Sequence, residues 1–284
     1  MAFKQITSPH AHAAQNTSRV MQLVIWATVP GLIALSINFG WGSLINVILA
    51  VVTALACEAT IIKLRKRPVA FYLGDYSAAL TAVLLGLALP PLAPWWVVVI
   101  GSMFSIVIAK HLYGGLGYNP FNPAMVGYVV LLISFPIPMT IWVTPLALLP
   151  EGVSHPGLAE SLSIVFSGYS PADGVTGATP LDLFKHSSGL VVEQIYQNNP
   201  LFSQGMFAGV GWEWVNLGFL IGGIGLIAAR IFTWHGPVAM LGAMTLMSLI
   251  FWDGGSSNSP GSPLMHLFSG ATMMGAFFIL TDPV

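Results

Sequence analysis

Charge is what this sequence has least of. Only 7% of its 284 residues are Asp, Glu, Lys or Arg, while 55% are hydrophobic; a soluble domain carries roughly 25% charged residues. Surfaces so poor in charge must face lipid, and one multi-span membrane domain is expected rather than several soluble ones. Nine basic residues stand against ten acidic ones, which leaves no field able to gather nucleic acid, and that class of partner is excluded. Cysteine is nearly absent. Cys57 alone can form no intrachain disulfide and cannot supply the thiolates of an iron–sulfur cluster, so any such centre belongs to another subunit. The first eighteen residues, with His10, His12, Gln15 and Asn16, show no short apolar core followed by a small-residue cleavage site, so the first span is expected to be an uncleaved anchor.

Apolar length is what the chain has in quantity. Runs suited to membrane helices occupy about Val20 to Ile37, Leu44 to Ile62, Tyr76 to Leu89, Trp95 to Leu112, Ala124 to Val143, Trp214 to Phe232, Val238 to Phe251 and Leu264 to Leu280. With a cytoplasmic amino terminus, Lys4, Arg19, Lys63, Arg65, Lys66, Arg67, Lys110 and Arg230 all fall inside and only Lys185 falls outside, as expected in a bacterial inner membrane. Trp95, Trp96, Trp212 and Trp214 then mark the outer interface. The third run is short before Pro90 and Pro91, and the eighth resembles it. Ser77 to Pro91 and Ser269 to Pro283 each hold a Ser, small residues, a Thr, an apolar run and a closing Pro. Short segments at matching places in two halves point to an inverted repeat. The expected architecture is therefore an all-α multi-span bundle of five plus five helices, with the last two absent from this chain. Residues 1–19 form an inner segment, 20–143 the first repeat, 144–213 a periplasmic loop and 214–284 three helices of the second repeat.

Loops as long as the one at 144–213 commonly carry function. Within it, Asp173-Gly174-Val175-Thr176-Gly177-Ala178-Thr179-Pro180-Leu181 combines small residues with two hydroxyls and a carboxylate. Small neighbours allow close approach to a threonine hydroxyl, and Pro180 keeps Thr179 out of helical geometry. Phosphoryl transfer to a threonine is the chemistry suggested. An ordinary Gly/Ala/Thr surface turn has the same composition.

This stretch, with Lys110-His111-Leu112-Tyr113-Gly114-Gly115-Leu116-Gly117-Tyr118-Asn119-Pro120-Phe121-Asn122-Pro123-Ala124 and Ser269-Gly270-Ala271-Thr272 to Asp282-Pro283, closely resembles the RnfD (also called RsxD) family of the Rnf electron-transport complex. The chain is more distantly similar to NqrB, a membrane component of the sodium-pumping quinone reductase. The resemblance implies FMN esterified to Thr179, the last residue of an Asp-x-x-Ser/Thr-Gly-Ala-Thr motif in which Asp173, Thr176, Gly177 and Ala178 take part. A flavin transferase that cleaves FAD is implied with it. Lys185 and His186 are candidate counterions for the phosphodiester. Asn119 and Asn122, in unwound Asn-Pro backbone, are candidate contacts for a noncovalent riboflavin or FMN, and equally suit a helix-capping turn. The implied partners are membrane iron–sulfur subunits, a periplasmic flavoprotein subunit and cytoplasmic NADH- or ferredoxin-side subunits, with electron flow tied to Na+ or H+ movement. The architecture implied is similar to urea transporters. No catalytic side chain and no metal ligand set is assigned to this subunit.

Other features are more ambiguous. The second Ser-Gly-Ala-Thr, Ser269 to Thr272, has His266 where the acid should be and is expected to be helix packing. Glu58 suits either an ion path or snorkelling beside Lys63. Asp75 suits a cap of the third helix, Glu213 a helix dipole, and Gly218 with Gly222 a close helix contact. A secondary transporter or channel, which also uses paired half-helices and unwound backbone, is the alternative reading. A passive channel has no reason to carry the Thr179 motif.

Overall fold

The computed structural model describes residues 16–168, 174–187, 189–257 and 259–284. Helix dominates, as a low-dielectric surround demands, because each backbone N–H and C=O has to find its partner within the segment. Three stretches are long and apolar enough to cross a bilayer: α1 (Thr17–Phe39), α2 (Gly42–Leu64) and Trp95–Leu112. The last begins as α5 (Trp95–Met103) and continues without interruption as a π-helix, Phe104–Leu112. Shorter apolar helices are α4 (Ser77–Ala88), α6 (Pro123–Ser134), α12 (Trp212–Ala228) and α13 (His235–Phe251). Small helices α3 (Val69–Leu73) and α7 (Pro136–Thr140) lie between them. The segment from Thr144 to Gly211 holds α8 (Leu158–Ser167), α9 (Pro180–His186), α10 (Val192–Asn198) and α11 (Pro200–Ser203).

Two expected spans come out differently. The fifth stops at Ser134, where Phe135 and Pro136 break the ladder, and Trp142–Val143 is a strand, β1, rather than the end of a helix. The eighth is broken into α14 (Pro263–Phe268), α15 (Thr272–Met274) and a π-helical turn, Gly275–Ile279, with Gly270 at φ +66° in the gap. A residue with positive φ has no place in a right-handed helix, and glycine adopts it without cost.

The bundle is polar within and apolar outside. Asn46, Ser77, Thr81, Ser102, Ser105 and Asn216 are buried, while Ile33 and Ile37 of α1, Ile48 and Val52 of α2, and Leu246 and Ile250 of α13 are exposed. Outward aliphatic faces of this extent suit lipid rather than water. Close approach depends on glycine. α1 packs most extensively on α12, with Gly31 beneath the Phe219 ring, Gly218 against the Pro30 carbonyl and Gly222 against the Ala27 carbonyl. The Gly218 and Gly222 pair is thus used for an internal contact.

Candidate functional site

Thr179 sits where a short ribbon turns into a helix. β1 pairs antiparallel with β2 (Thr176–Gly177), Trp142 opposite Gly177 and Val143 opposite Thr176, and Thr144 N donates to Val175 O at 2.8 Å. Glycine is needed at 177, where a Cβ would lie 2.7 Å from Thr144 Oγ1. Ala178 and Thr176 are exposed. Asp173 lies outside the described residues. The pyrrolidine of Pro180, at the first position of α9, fixes an extended Thr179 (φ −73°, ψ 159°), as the X-Pro step predicts. Thr179 Oγ1 accepts from Asp182 N at 3.2 Å, so the hydroxyl caps α9 while staying half-buried rather than enclosed.

Pro180 is buried against Gly209, whose Cβ would stand 2.8 Å from the ring. That glycine belongs to a loop built on one carboxylate. Glu213, 3% exposed, accepts from Phe207 N, Ala208 N and Gly209 N through Oε1 at 2.9, 2.7 and 3.0 Å and from Met206 N through Oε2 at 3.1 Å. Charge-assisted bonds of this kind are among the stronger ones in proteins. The expected role for Glu213, a helix dipole partner, understates it: the side chain folds the 206–209 turn that backs Pro180. The next residue in space, Trp212, stands with its ring centroid 5.0 Å from both Phe39 and Trp142.

Beneath Thr179 opens a cavity of about 370 Å³. Thr179 is at its margin, and Trp142, Trp212, Tyr128 and Phe219 supply aromatic wall. Gly270 and Ala271, from the second Ser-Gly-Ala-Thr, line it too, so this motif forms part of the cavity wall at a helix break instead of packing within a continuous helix. The break is stabilised by Asn216, which is fully buried. Its Nδ2 donates to Phe268 O and Gly270 O, both at 2.9 Å, and its Oδ1 accepts from Met273 N at 3.1 Å. Sequence reasoning passed over Asn216; a lone Asn between apolar residues in an expected span was the available signal.

The other candidates lie elsewhere. Asn119 Nδ2 donates to Phe121 O and Val284 O, and its Oδ1 has no partner. Asn122 caps α6 through Met125 N and reaches Asp282 Oδ2 at 2.8 Å. Both therefore tie the Gly114–Pro123 segment to the residues after the broken helix, at the end of the bundle opposite Thr179. Lys185 lines a separate cavity with Phe184 and His266, and His186 Nδ1 pairs with Asp182 Oδ1 at 3.3 Å, so neither is turned to Thr179 as a counterion. Asp75 does cap α4, its Oδ1 accepting from Ser77 N at 2.8 Å.

Comparison with known proteins agrees with the residues that carry the resemblance. The sequence model of the NQR2, RnfD, RnfE family matches residues 4–284. The chain is 54% identical over 284 residues to the D subunit of the ion-translocating oxidoreductase complex of Cellvibrio japonicus (strain Ueda107), covering all of this chain and 79% of the relative. It is also 54% identical to the protein of that name from Ectopseudomonas mendocina (strain ymp), covering all of this chain and 80% of the relative. With the Escherichia fergusonii protein of that name it shares 50% over 297 aligned positions, covering all of this chain and 83% of the relative. With a match along nearly its whole length and relatives at this identity, the chain belongs to the NQR2, RnfD, RnfE family.

Proposed function

We propose that this chain is the RnfD-type membrane component of a redox-driven ion pump and that it carries FMN joined through its phosphate to Thr179 Oγ1. The observation that carries the reading is the placement of an accessible threonine hydroxyl at the margin of an aromatic-walled cavity. A volume of about 370 Å³ lies within the roughly 300–1,000 Å³ common for small-molecule sites, and flat aromatic walls suit a planar ring system. Trp142, Trp212 and Tyr128 would hold the ring, Gly270 and Ala271 leave room for it, and Thr179 fixes the phosphate. FMN, when bound, supplies electron transfer in one- or two-electron steps, and the protein supplies position and potential. Attachment needs a flavin transferase that breaks the pyrophosphate of FAD, places FMN phosphate on Oγ1 and releases AMP. Asn119 Oδ1, which has no partner, is kept as a polar contact for a noncovalent riboflavin or FMN at the other end.

The charge distribution supports a cytoplasmic basic end and a periplasmic Thr179 end in a bacterial inner membrane. Two segments of matching sequence, one short at Ser77–Ala88 and one broken after Phe268, support the inverted repeat. Relatives named as subunits of an ion-translocating oxidoreductase complex support assembly with iron–sulfur and flavoprotein subunits.

The test uses the full chain coexpressed with its complex and transferase. The peptide containing Thr179 is expected to gain the mass of FMN less one water. Thr179→Asn is the informative variant, because Asn is as good a helix cap yet offers no hydroxyl. It should fold normally, lose the bound flavin and halt electron transfer through the complex. Wild-type peptide without the added mass, or undiminished electron transfer in Thr179→Asn, rejects the reading.

A further inference from the structure

At the basic end a second cavity, of about 610 Å³, lies beneath the exposed Arg65 and Arg67. Its inner wall is a chain of titratable groups. Glu58 of α2, 1% exposed, accepts from Lys110 Nζ at 2.6 Å and stands 3.2 Å from His111 Nε2. Lys110, equally buried, also donates to Ser77 Oγ at 2.6 Å, and Ser77 Oγ donates to Asp75 Oδ1 at 2.5 Å. An unbroken hydrogen-bonded path thus runs from Asp75 to His111. Glu58 turns inward to Lys110 and does not snorkel beside Lys63.

Three observations distinguish this cluster from a plain structural ion pair. First, Glu58 Oε2 and His111 Nδ1 are buried without any partner, and both residues line the cavity. A buried pair kept only for stability is costly unless its remaining lone pairs are satisfied; here one oxygen and one ring nitrogen are each left with a vacant position that takes a proton. Second, Lys110 and His111 belong to the π-helix Phe104–Leu112, which lets adjacent residues both reach Glu58; π-helical turns recur at functional sites. Third, the Lys110 ammonium already sits on Glu58 Oε1, where a bound metal cation would have to sit.

We propose that Glu58, His111 and Lys110 form a proton-loading site at the basic end of the bundle. Water in the cavity delivers a proton to Glu58 Oε2 or His111 Nδ1, the site gains one positive charge, and the proton later returns by the same atoms. Lys110 serves as a tethered countercharge between Glu58 and the Ser77–Asp75 branch. The other charged groups facing the site are Arg65, which donates to His111 O at 2.6 Å, and Arg67, which is engaged with Tyr72; the nearby end of α1 offers Thr17 and Ser18 hydroxyls. The role as a site that feeds ion movement rests on the pump reading above, whereas the proton binding itself does not.

Two measurements test it. Infrared difference spectra of the full chain on a pH jump are expected to show a protonated carboxyl band that is absent in Glu58→Gln and displaced in Glu58→Asp. A band unmoved by either change, or no band in the wild type, overturns the proposal whatever the chain's wider function. In the assembled complex in sealed vesicles, the neutral pair Glu58→Gln with Lys110→Met leaves no buried charge unpaired. Protons taken up per electron are expected to fall to background; an unchanged ratio overturns the loading role, while absence of all redox activity in the wild-type complex would instead reject the pump reading.

Discussion

Glu213→Gln isolates what one carboxylate does for the Thr179 site. In the wild type three amides converge on Oε1 and the Met206 amide reaches Oε2 at 3.1 Å. Glutamine keeps one carbonyl oxygen, which can still take Phe207, Ala208 and Gly209, but it turns an NH2 group toward the Met206 amide, so one bond becomes two facing donors. Bonds to a charged acceptor are worth about 1.5–3 kcal/mol, and the three that remain lose the charge. A local cost of about 3 kcal/mol follows, or roughly 100-fold in the opening equilibrium of the turn. Hydrogen exchange by mass spectrometry on the detergent-solubilised chain should show amides 206–209 exchanging faster by that order, with α1 and α2 unchanged. Because Gly209 backs Pro180, flavin incorporation at Thr179, read as in-gel fluorescence, should fall with it, and Glu213→Asp should leave the turn partly protected. Unchanged protection at 206–209 in Glu213→Gln would refute the reasoning.

Three further outcomes are expected. Gly222→Ala puts a methyl group on the Ala27 carbonyl and should cost about 3 kcal/mol, the upper end for overpacking, seen as a lowered thermal midpoint, whereas Gly225→Ala, with open space around it, should be neutral; equal midpoints would mean α1 and α12 do not approach as described. Asn216→Ala strands Phe268 O, Gly270 O and Met273 N at about 1–3 kcal/mol each, and limited proteolysis should then cut near 268–272. Asp282, beyond the last helical turn, has its carboxyl pushed up to about 7 chiefly by burial. Unfolded carboxyls ionise near about 3.9, so the unfolded chain releases this proton first and stability falls as pH rises from about 4 to about 7, with no further loss above. Asp282→Asn should abolish that slope in thermal melts, and parallel curves for the two proteins would count against the burial.

Where physics acts through local pattern, the sequence was a good guide. Long apolar runs mark α1, α2 and the 95–112 helix because lipid demands them, and Pro180 sets the backbone of Thr179 by sterics alone. The opposite held where partners are distant in sequence. Phe135 and Pro136 do not by themselves say that Trp142–Val143 will pair with Thr176–Gly177. Nor does Ser-Gly-Ala-Thr at 269 say that the helix opens there, since the backbone groups freed by the break are satisfied by Asn216, more than fifty positions away. Glu58 was legible as an intramembrane acid, but its partner Lys110, 52 positions along, was not.

These distant polar partners have one feature in common that bears on how the site is built. Inside lipid an unmet backbone group costs several kcal/mol, so a helix can break only where some side chain takes over its hydrogen bonds. Asn46 Nδ2 bonds Pro90 O at 2.7 Å after α4 ends, and Asn216 does the same for the break at Ser269–Ala271. Each Asn is buried on the helix that packs beside the interruption. Opening the 269–271 backbone is what brings Gly270 and Ala271 to the cavity under Thr179, where a continuous helix would present packed side chains. Cavity and break therefore depend on the same amide: a variant that removes the Asn216 side chain should close or deform the space beneath Thr179 even though Asn216 does not line it.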